Sequence, residues 1–374
     1  MKLKLEQIQY PANGKPAGES KPIEIEIPQI NDEDFKTRLR EIQETYGTIR
    51  DNRTGRAFEI AIVNKNQLKN GAILMPSTMF SSLTQNIGNA IELAAHGAAT
   101  PEVARVYIAF PGNGKSDDLS RQDRQYLAHM GRFTQDGEAL DSISALARAL
   151  EQEGIAIKSI SANAEAGRFG LGIMAALPPN TVTSVYLNGL PGVCPPPDRP
   201  YLVAMWEEDV EDQNKRREED LKEKYKVNDR TIRETRSFLP KLYRRRIGYF
   251  FQLLPIYFRA MPNIRASTKG FSRHDDLQFT ETHAALQDTL TALKRQNGAK
   301  VTFQFGKLSK LHRMDECQRF SQIVTEELRK ASNQCSIQLL IDSVGSLDFH
   351  TDSPSKRWAA ERCALKIERP EKPS

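Results

Sequence analysis

The chain has 374 residues, with 53 Lys and Arg against 48 Asp and Glu and a formal net charge of only +5. That near-balance excludes a strongly basic nucleic-acid-binding chain, so no nucleic-acid partner is expected. Four cysteines (Cys194, Cys317, Cys335 and Cys363) are too sparse for a disulfide scaffold and form no CxxC pair or Cys/His cluster, so neither a metal nor another cofactor is expected. The opening MKLKLEQIQY lacks the apolar core of a signal peptide, and no apolar run approaches the roughly 18 residues of a membrane span. The expected compartment is therefore the cytoplasm, with export by a dedicated secretion system left open. At about 100–200 residues per domain, the length fits one large elaborated domain or two domains.

In chain order, the first seventy residues alternate short β-patterned runs with polar linkers. Residues 21–29 (KPIEIEIPQ) alternate Ile with Glu or Pro, the period of a strand with one solvated face. Phe35, Leu39 and Ile42 are spaced as on a short amphipathic helix over 34–46, and residues 56–63 read as a strand. From residue 70 the rhythm becomes strand then helix. Strands are predicted at 72–75, 103–110, 155–161 and 182–187, and helices at 83–96, closed by Gly97, and at 137–153, closed by Gly154. A further helix reaches Leu177 from the turn after residue 161. The pattern resumes late with strands at 301–305 and 337–342, and helices at 315–331 and 355–365. Such alternation predicts an α/β fold with a mostly parallel sheet flanked by helices.

Between them, residues 191–297 break the rhythm. The segment opens with the stiff loop PGVCPPPDRP, then residues 206–226 carry nine acids and six bases, as a solvated helix does. Residues 241–259 (KLYRRRIGYFFQLLPIYFR) differ sharply, with five bases, six aromatics and no acid. Tyr243, Arg245, Tyr249 and Phe250 in this stretch are candidates to line an acyl-binding tunnel, and the basic face could also meet an anionic membrane surface.

The piece 158–177 (KSISANAEAGRFGLGIMAAL) carries the chemistry. It runs strand, tight turn of small residues, helix, and such a turn can hold one residue strained at a helix N-terminus, where the macrodipole favours negative charge. The sterics demand small side chains two before and two after that residue. Centred on Ala164, those positions are Ala162 and Ala166. The stretch resembles the nucleophile elbow of the α/β-hydrolase fold, G-x-S-x-G, with alanine in both glycine positions and in the serine position.

That resemblance implies further roles. Pro76 and Ser77 stand where the family's first catalytic loop has a His-Gly pair, so Thr78 and Glu165 would offer the oxyanion N–H groups. The loop at 111–116 (PGNGKS) is similar to a P-G-x-G-x-S loop that many members carry after the next strand; its spacing is not that of a phosphate-binding loop. His350, past the last predicted strand, stands where the family has its base. The usual acid position falls on Ser309, and Asp315 is the next carboxylate downstream, at a predicted helix start where capping is its ordinary role. The implied organisation is an N-terminal strand-rich extension (1–56), a first core part (57–190), a helical cap or lid (191–297) and a second core part (298–374). The implied activity is serine hydrolysis of an acyl ester, thioester or lipid-like substrate, as in esterases and lipases, in a form lacking the nucleophile because Ala164 has no hydroxyl. Two readings stay open: an otherwise active enzyme whose serine has been replaced, and a natural pseudoenzyme that binds or interacts without catalysis. Nothing in the residues sets an oligomeric state.

Overall fold

Strands buried on both faces read as continuous apolar runs, and such runs build the middle of the sheet. The computed structural model describes residues 2–12, 18–78, 83, 87–193, 218–223, 225–238, 258, 260–271, 273, 279, 282–307, 312–342 and 354–367. The strands are β1 (Lys2–Tyr10), β2 (Lys21–Glu26), β3 (Gly47–Arg50), β4 (Ala57–Val63), β5 (Ala72–Pro76), β6 (Ala104–Ile108), β7 (Thr134–Gln135), β8 (Glu138–Ala139), β9 (Ile157–Asn163), β10 (Ser184–Asn188), β11 (Lys300–Gly306) and β12 (Ser336–Asp342). The helices are α1 (Asp32–Thr45), α2 (Ile87–Ala99), α3 (Arg121–Met130), α4 (Asp141–Gln152), α5 (Glu165–Ala176), α6 (Asp229–Phe238), α7 (Ala284–Arg295), α8 (Met314–Lys330) and α9 (Pro354–Leu365). Residues 218–223 and 260–271 are also helical.

Ten strands form one sheet in the order β2-β1-β12-β11-β10-β9-β5-β6-β4-β3. From β12 to β6 every neighbouring pair is parallel, and antiparallel pairs (β1–β2 at one edge, β4–β3 at the other) flank that centre. The N-terminal strands thus extend the same sheet, with β1 lying against β12 (Gln7 opposite Leu340). Period-2 alternation divides the side chains between two cores. Leu74, Val106, Ile108, Ile160, Leu187, Phe303 and Leu339 join the face covered by α4, α5, α7 and α8, whereas Ile73, Met75, Tyr107, Tyr186 and Leu340 join the face covered by α1, α2, α6 and α9.

Two sequence expectations are corrected. Gly97 does not close α2 but lies inside it, because a Cβ there would collide with Val63 of β4. The glycine is needed for close approach of helix to sheet rather than for a left-handed cap. Residues 137–140 do not begin α4. They turn at Gly137 (φ +84°) and form β8, paired with β7 in a small hairpin, and the helix starts at Asp141.

The segment between β10 and β11 ends in α7, which packs on α5 and α8 as the crossover between two parallel strands. Earlier parts of the segment contact opposite sides. Asn228 donates from its backbone N and its Nδ2 to the Asp32 carboxylate at the start of α1, at 3.2 and 2.8 Å. On the other side, Asn263 donates through Nδ2 to the Pro111 carbonyl at 2.9 Å and to Asp118 at 3.2 Å.

Two buried ionic clusters fasten the helices. On one face Glu361 of α9 takes Arg105 of β6 and the Ser161 hydroxyl of β9 (2.6 Å), with the His96 ring of α2 at 3.9 Å. On the other, Asp288 of α7 accepts from Phe133 N (3.0 Å), Thr134 N (3.1 Å), Thr134 Oγ1 (2.8 Å), and Arg168 Nε (3.1 Å) and Nη2 (3.0 Å). Arg168 of α5 also donates to the Gly131 carbonyl at 2.7 Å and lies over the Phe271 ring at 4.6 Å. Removing one member of such a pair leaves a buried charge uncompensated, whereas replacing both by apolar groups does not. Asp288→Ala is therefore expected to destabilise the fold by about 3–5 kcal/mol in urea titration, and Asp288→Asn combined with Arg168→Met, which removes both charges and keeps an acceptor for Phe133 N and Thr134, by clearly less. A double variant as unstable as the single one would contradict this.

Candidate functional site

The sheet grows in two directions from its centre. From β5 the chain crosses through α2 to β6 on one side, and from β9 it crosses through α5 to β10 on the other. Between the C-terminal ends of β5 and β9 lies a topological switch point, the place where open α/β sheets leave a crevice for ligands. The register pairs Leu74 with Ile160, so Thr78 and Ala164, each four residues further on, flank that crevice from its two sides.

Ala164 is the reversal itself. It takes φ +48° and ψ −136°, a conformation that L residues rarely adopt and that costs about 1–3 kcal/mol. The surroundings impose it. Ala164 N donates to the Asn188 carbonyl at the end of β10 (2.9 Å), and Gly167 N donates back to the Ala164 carbonyl (2.8 Å). The same stitching continues along the sheet end, with Gly189 N on the Gln304 carbonyl and Lys307 N on the Asp342 carbonyl, both at 2.9 Å. Small side chains then let α5 settle on the sheet. A Cβ at Gly167 would lie 2.8 Å from Leu190 Cδ1, and one at Gly170 would lie 3.2 Å from Pro76 Cγ. Ala162 and Ala166, the two positions where the elbow pattern demands small residues, are both buried.

Glu165 opens α5 and is 4% exposed. Burial pushes its carboxyl up to about 7, while its own backbone N–H pulls the other way. Among the described residues, Oε2 is buried without a hydrogen-bond partner. Burying a carboxylate without a counter-ion disfavours its charged form, which accounts for the direction. The N–H against which the carboxyl rests is the one that the elbow resemblance assigns to an oxyanion.

Thr78 is half-buried two residues past β5, and its carbonyl accepts from Asn113 Nδ2 at 3.5 Å. Asn113 belongs to the 111–116 loop, which is wrapped around a buried acid, Glu59 of β4. Lys115 N donates to Glu59 Oε2 at 2.7 Å, Glu59 N donates to Ser116 Oγ at 2.9 Å, and the Tyr46 hydroxyl donates to Glu59 Oε1. A Cβ at Gly114 would collide with that carboxylate, so glycine is required there. Asp315 is exposed on the first turn of α8, where a carboxylate complements the positive end of the helix. Ser309, His350, Tyr243, Arg245, Tyr249 and Phe250 lie outside the described residues. The strands that precede Ser309 and His350, β11 and β12, end in register at Gly306 and Asp342, on the same end of the sheet as the elbow.

Sequence reasoning took Glu165 only for its N–H and missed its side chain. A signal was present: Glu165 is the only acid among residues 158–177, in a stretch otherwise small and apolar around it. Glu59 and Asp288 were also missed, Glu59 as an acid in a run that reads as an apolar strand and Asp288 because its helix lies in the stretch 191–297 that breaks the pattern.

No protein-family model matches the chain, and no curated protein matches it. Among solved structures, the chain is similar to a 2-hydroxy-6-oxo-6-phenylhexa-2,4-dienoate hydrolase from Rhodococcus sp. strain RHA1, at 13% identity and a TM-score of 0.44, covering 86% of this chain and 97% of that one. It is also similar to the thioesterase domain from the curacin biosynthetic pathway, at 14% identity and a TM-score of 0.40, covering 86% and 98%. At such identities and scores neither likeness transfers an activity. What defines the architecture is this chain's own geometry: a mostly parallel sheet flanked by helices, with a strained strand-to-helix elbow at its switch point, an α/β-hydrolase-like fold.

The raised carboxyl has a consequence for stability. Between its ordinary value of 4.5 and about 7, the native state holds a proton that the unfolded state releases, so this group lowers stability as pH rises through that window. Glu165→Gln removes the effect. Relative to the variant, the wild type is expected to lose about 3 kcal/mol between pH 4.5 and 8, read by urea unfolding across pH. Parallel profiles for the two proteins would contradict the assignment.

Proposed function

On the premise of an α/β-hydrolase-like fold, we propose that this chain takes an acyl ester, thioester or lipid-like molecule at the elbow between β5 and β9, as a serine-hydrolase-type protein in nucleophile-less form. The observation that carries the reading is Ala164 itself. A residue with a Cβ is held in a strained, positive-φ turn at the switch point, which presents that residue at the helix N-terminus. The backbone of a serine there would be held by the same two bonds, its N–H donating to the Asn188 carbonyl and its carbonyl accepting from Gly167 N. Without the hydroxyl there is no acyl-enzyme, because a methyl group has neither a lone pair to attack with nor a proton to give up.

The elements of turnover divide among residues. Position 164 supplies the attacking atom when it is serine. The N–H groups of Glu165 and Thr78 are the oxyanion donors, and His350 is the base, with Ser309 and Asp315 as the positions to examine for its orienting acid. The basic-aromatic stretch with Tyr243, Arg245, Tyr249 and Phe250 supports an apolar tail beside an anionic head group, and a membrane surface is the partner it would favour. The described residues contain no helix long and apolar enough to cross a membrane.

A natural, non-catalytic pseudoenzyme that binds or interacts is the second reading, and Glu165 favours it. When ionised, a carboxylate resting against the oxyanion N–H opposes the negative charge that acyl transfer develops there. The experiment that separates them is labelling by a fluorophosphonate. The wild type is expected to remain unlabelled and Ala164→Ser to label covalently and to hydrolyse short acyl esters, with His350→Ala in that background abolishing both. If Ala164→Ser stays unlabelled and Ala164→Ser with Glu165→Gln does too, the hydrolase reading falls and the binding reading stands.

A further inference from the structure

We infer that the outward face of the 260–271 helix is a docking surface for an anionic lipid membrane, with Phe258 as its apolar anchor and Arg265, Lys269 and Arg273 as its headgroup contacts. The inference deepens the membrane partner proposed above and rests on that reading. It gives the partner a defined face, on residues other than Tyr243, Arg245, Tyr249 and Phe250.

The sequence supplies the charge. Between Glu234 and Asp275 there is no acid, but there are nine Lys or Arg and eight aromatics. A chain whose total is +5 thus carries one strongly basic stretch, and a surface made from it meets an anionic partner. The structure sorts this stretch by face. Phe258, Pro262, Arg265, Lys269 and Arg273 are exposed, whereas Ala260, Asn263, Ile264, Ala266, Ser267 and Gly270 are buried. Phe258 and Arg273 are helical as well. At 3.6 residues per turn, the five exposed positions fall within an arc of about 80° and form one stripe.

Packing fixes which way the stripe points. A Cβ at Gly270 would lie 2.0 Å from the Leu127 carbonyl oxygen and 2.6 Å from Gly131 Cα, so the helix meets α3 in backbone contact. Asn263, on the same inner face, donates to the Pro111 carbonyl and to Asp118. Held at both points, the helix cannot roll its bases inward. Arg265 and Lys269 make no ion pair with a described residue. Arg273 faces the His129 ring of α3, Nη1 to Nδ1 at 3.5 Å. The acids of the adjoining segment are engaged elsewhere. Asp123 is buried and accepts from Ser142 N, and Asp118 takes Asn263 and, at 3.8 Å, Arg124.

Phe258 decides the kind of anionic partner. It is 69% exposed, and it is the only exposed large hydrophobic side chain among the described residues. A phenyl group at one end of a basic stripe matches the headgroup–acyl boundary of a lipid layer, where the ring enters the apolar zone and the bases stay with the phosphates. Pro111, which Asn263 holds, lies three residues past β6, at the end of the sheet that carries the elbow. Docking therefore brings the crevice's end of the sheet to the lipid.

Flotation of the full chain with phosphatidylcholine vesicles, with and without phosphatidylserine, tests this. The wild type is expected to float with the anionic vesicles, less so as salt is raised, and not with phosphatidylcholine alone. Each base contributes about fivefold, so Arg265→Gln with Lys269→Gln should weaken partitioning about 30-fold. Phe258→Ala should weaken it about tenfold. Arg313→Gln with Lys330→Gln, the same charge change on exposed bases at the two ends of α8, should leave it unchanged. Matching urea unfolding curves show that each variant is folded. If the wild type floats and the Arg265→Gln, Lys269→Gln variant or Phe258→Ala floats equally well, this face is overturned and the membrane reading survives. If the wild type floats with neither vesicle, both fall, and binding of a single-stranded oligonucleotide through the same bases would then mark the partner as nucleic acid. Fluorophosphonate labelling of Ala164→Ser reads the elbow separately in every case.

Discussion

The reversal at Ala164 is the constraint on which the rest of this structure depends. A strand must turn into a helix within one residue, and the price is a positive φ that alanine tolerates poorly. Everything adjacent accommodates it. The end of β10 takes the Ala164 amide, Gly167 and Gly170 remove the side chains that would hold α5 away from Leu190 and Pro76, and Arg168 clamps the same helix to α7 through Asp288. The elbow is strained, yet the elements holding it are among the most buried in the protein. That arrangement places one residue at a switch point with its side chain unable to relax elsewhere, which is the geometry of a site rather than of a loop.

Chemistry at this site is decided by two neighbouring residues that pull in opposite directions. On the proposed reading, Ala164 occupies the attacking position and has nothing to attack with, and Glu165 lies beside the amide that would stabilise an anion; its own carboxyl is buried, with Oε2 lacking a hydrogen-bond partner among the described residues. On that reading, the identity of residue 164 governs whether anything held there can react.

Much of the fold was legible because central parallel strands are buried on both faces and their apolar runs survive in the sequence. β4, β5, β6, β10, β11 and β12 all lie where those runs predict. What failed were features that depend on distant contacts. Gly97 reads as a helix stop, but it is the point at which α2 touches Val63, and no local pattern distinguishes the two. Residues 137–140 have helix-compatible composition and form a hairpin because Gly137 turns the chain. The helix α7 was hidden in a stretch that stands out for its charges and prolines, although it packs on α5 like any crossover helix. At the site, the small residues that an elbow needs are visible in the sequence. The burial of Glu165 is not, because it is produced by the elements that close around α5 and not by its sequence neighbours.

The central claim is that the elbow, and not the remainder of the surface, is where this protein holds an acyl ligand. A crystal structure grown with decanoate at pH 6 tests it most directly. The account predicts electron density for the acyl chain beside Ala164, in the crevice between the C-terminal ends of β5 and β9. Density for decanoate only at another site would contradict it.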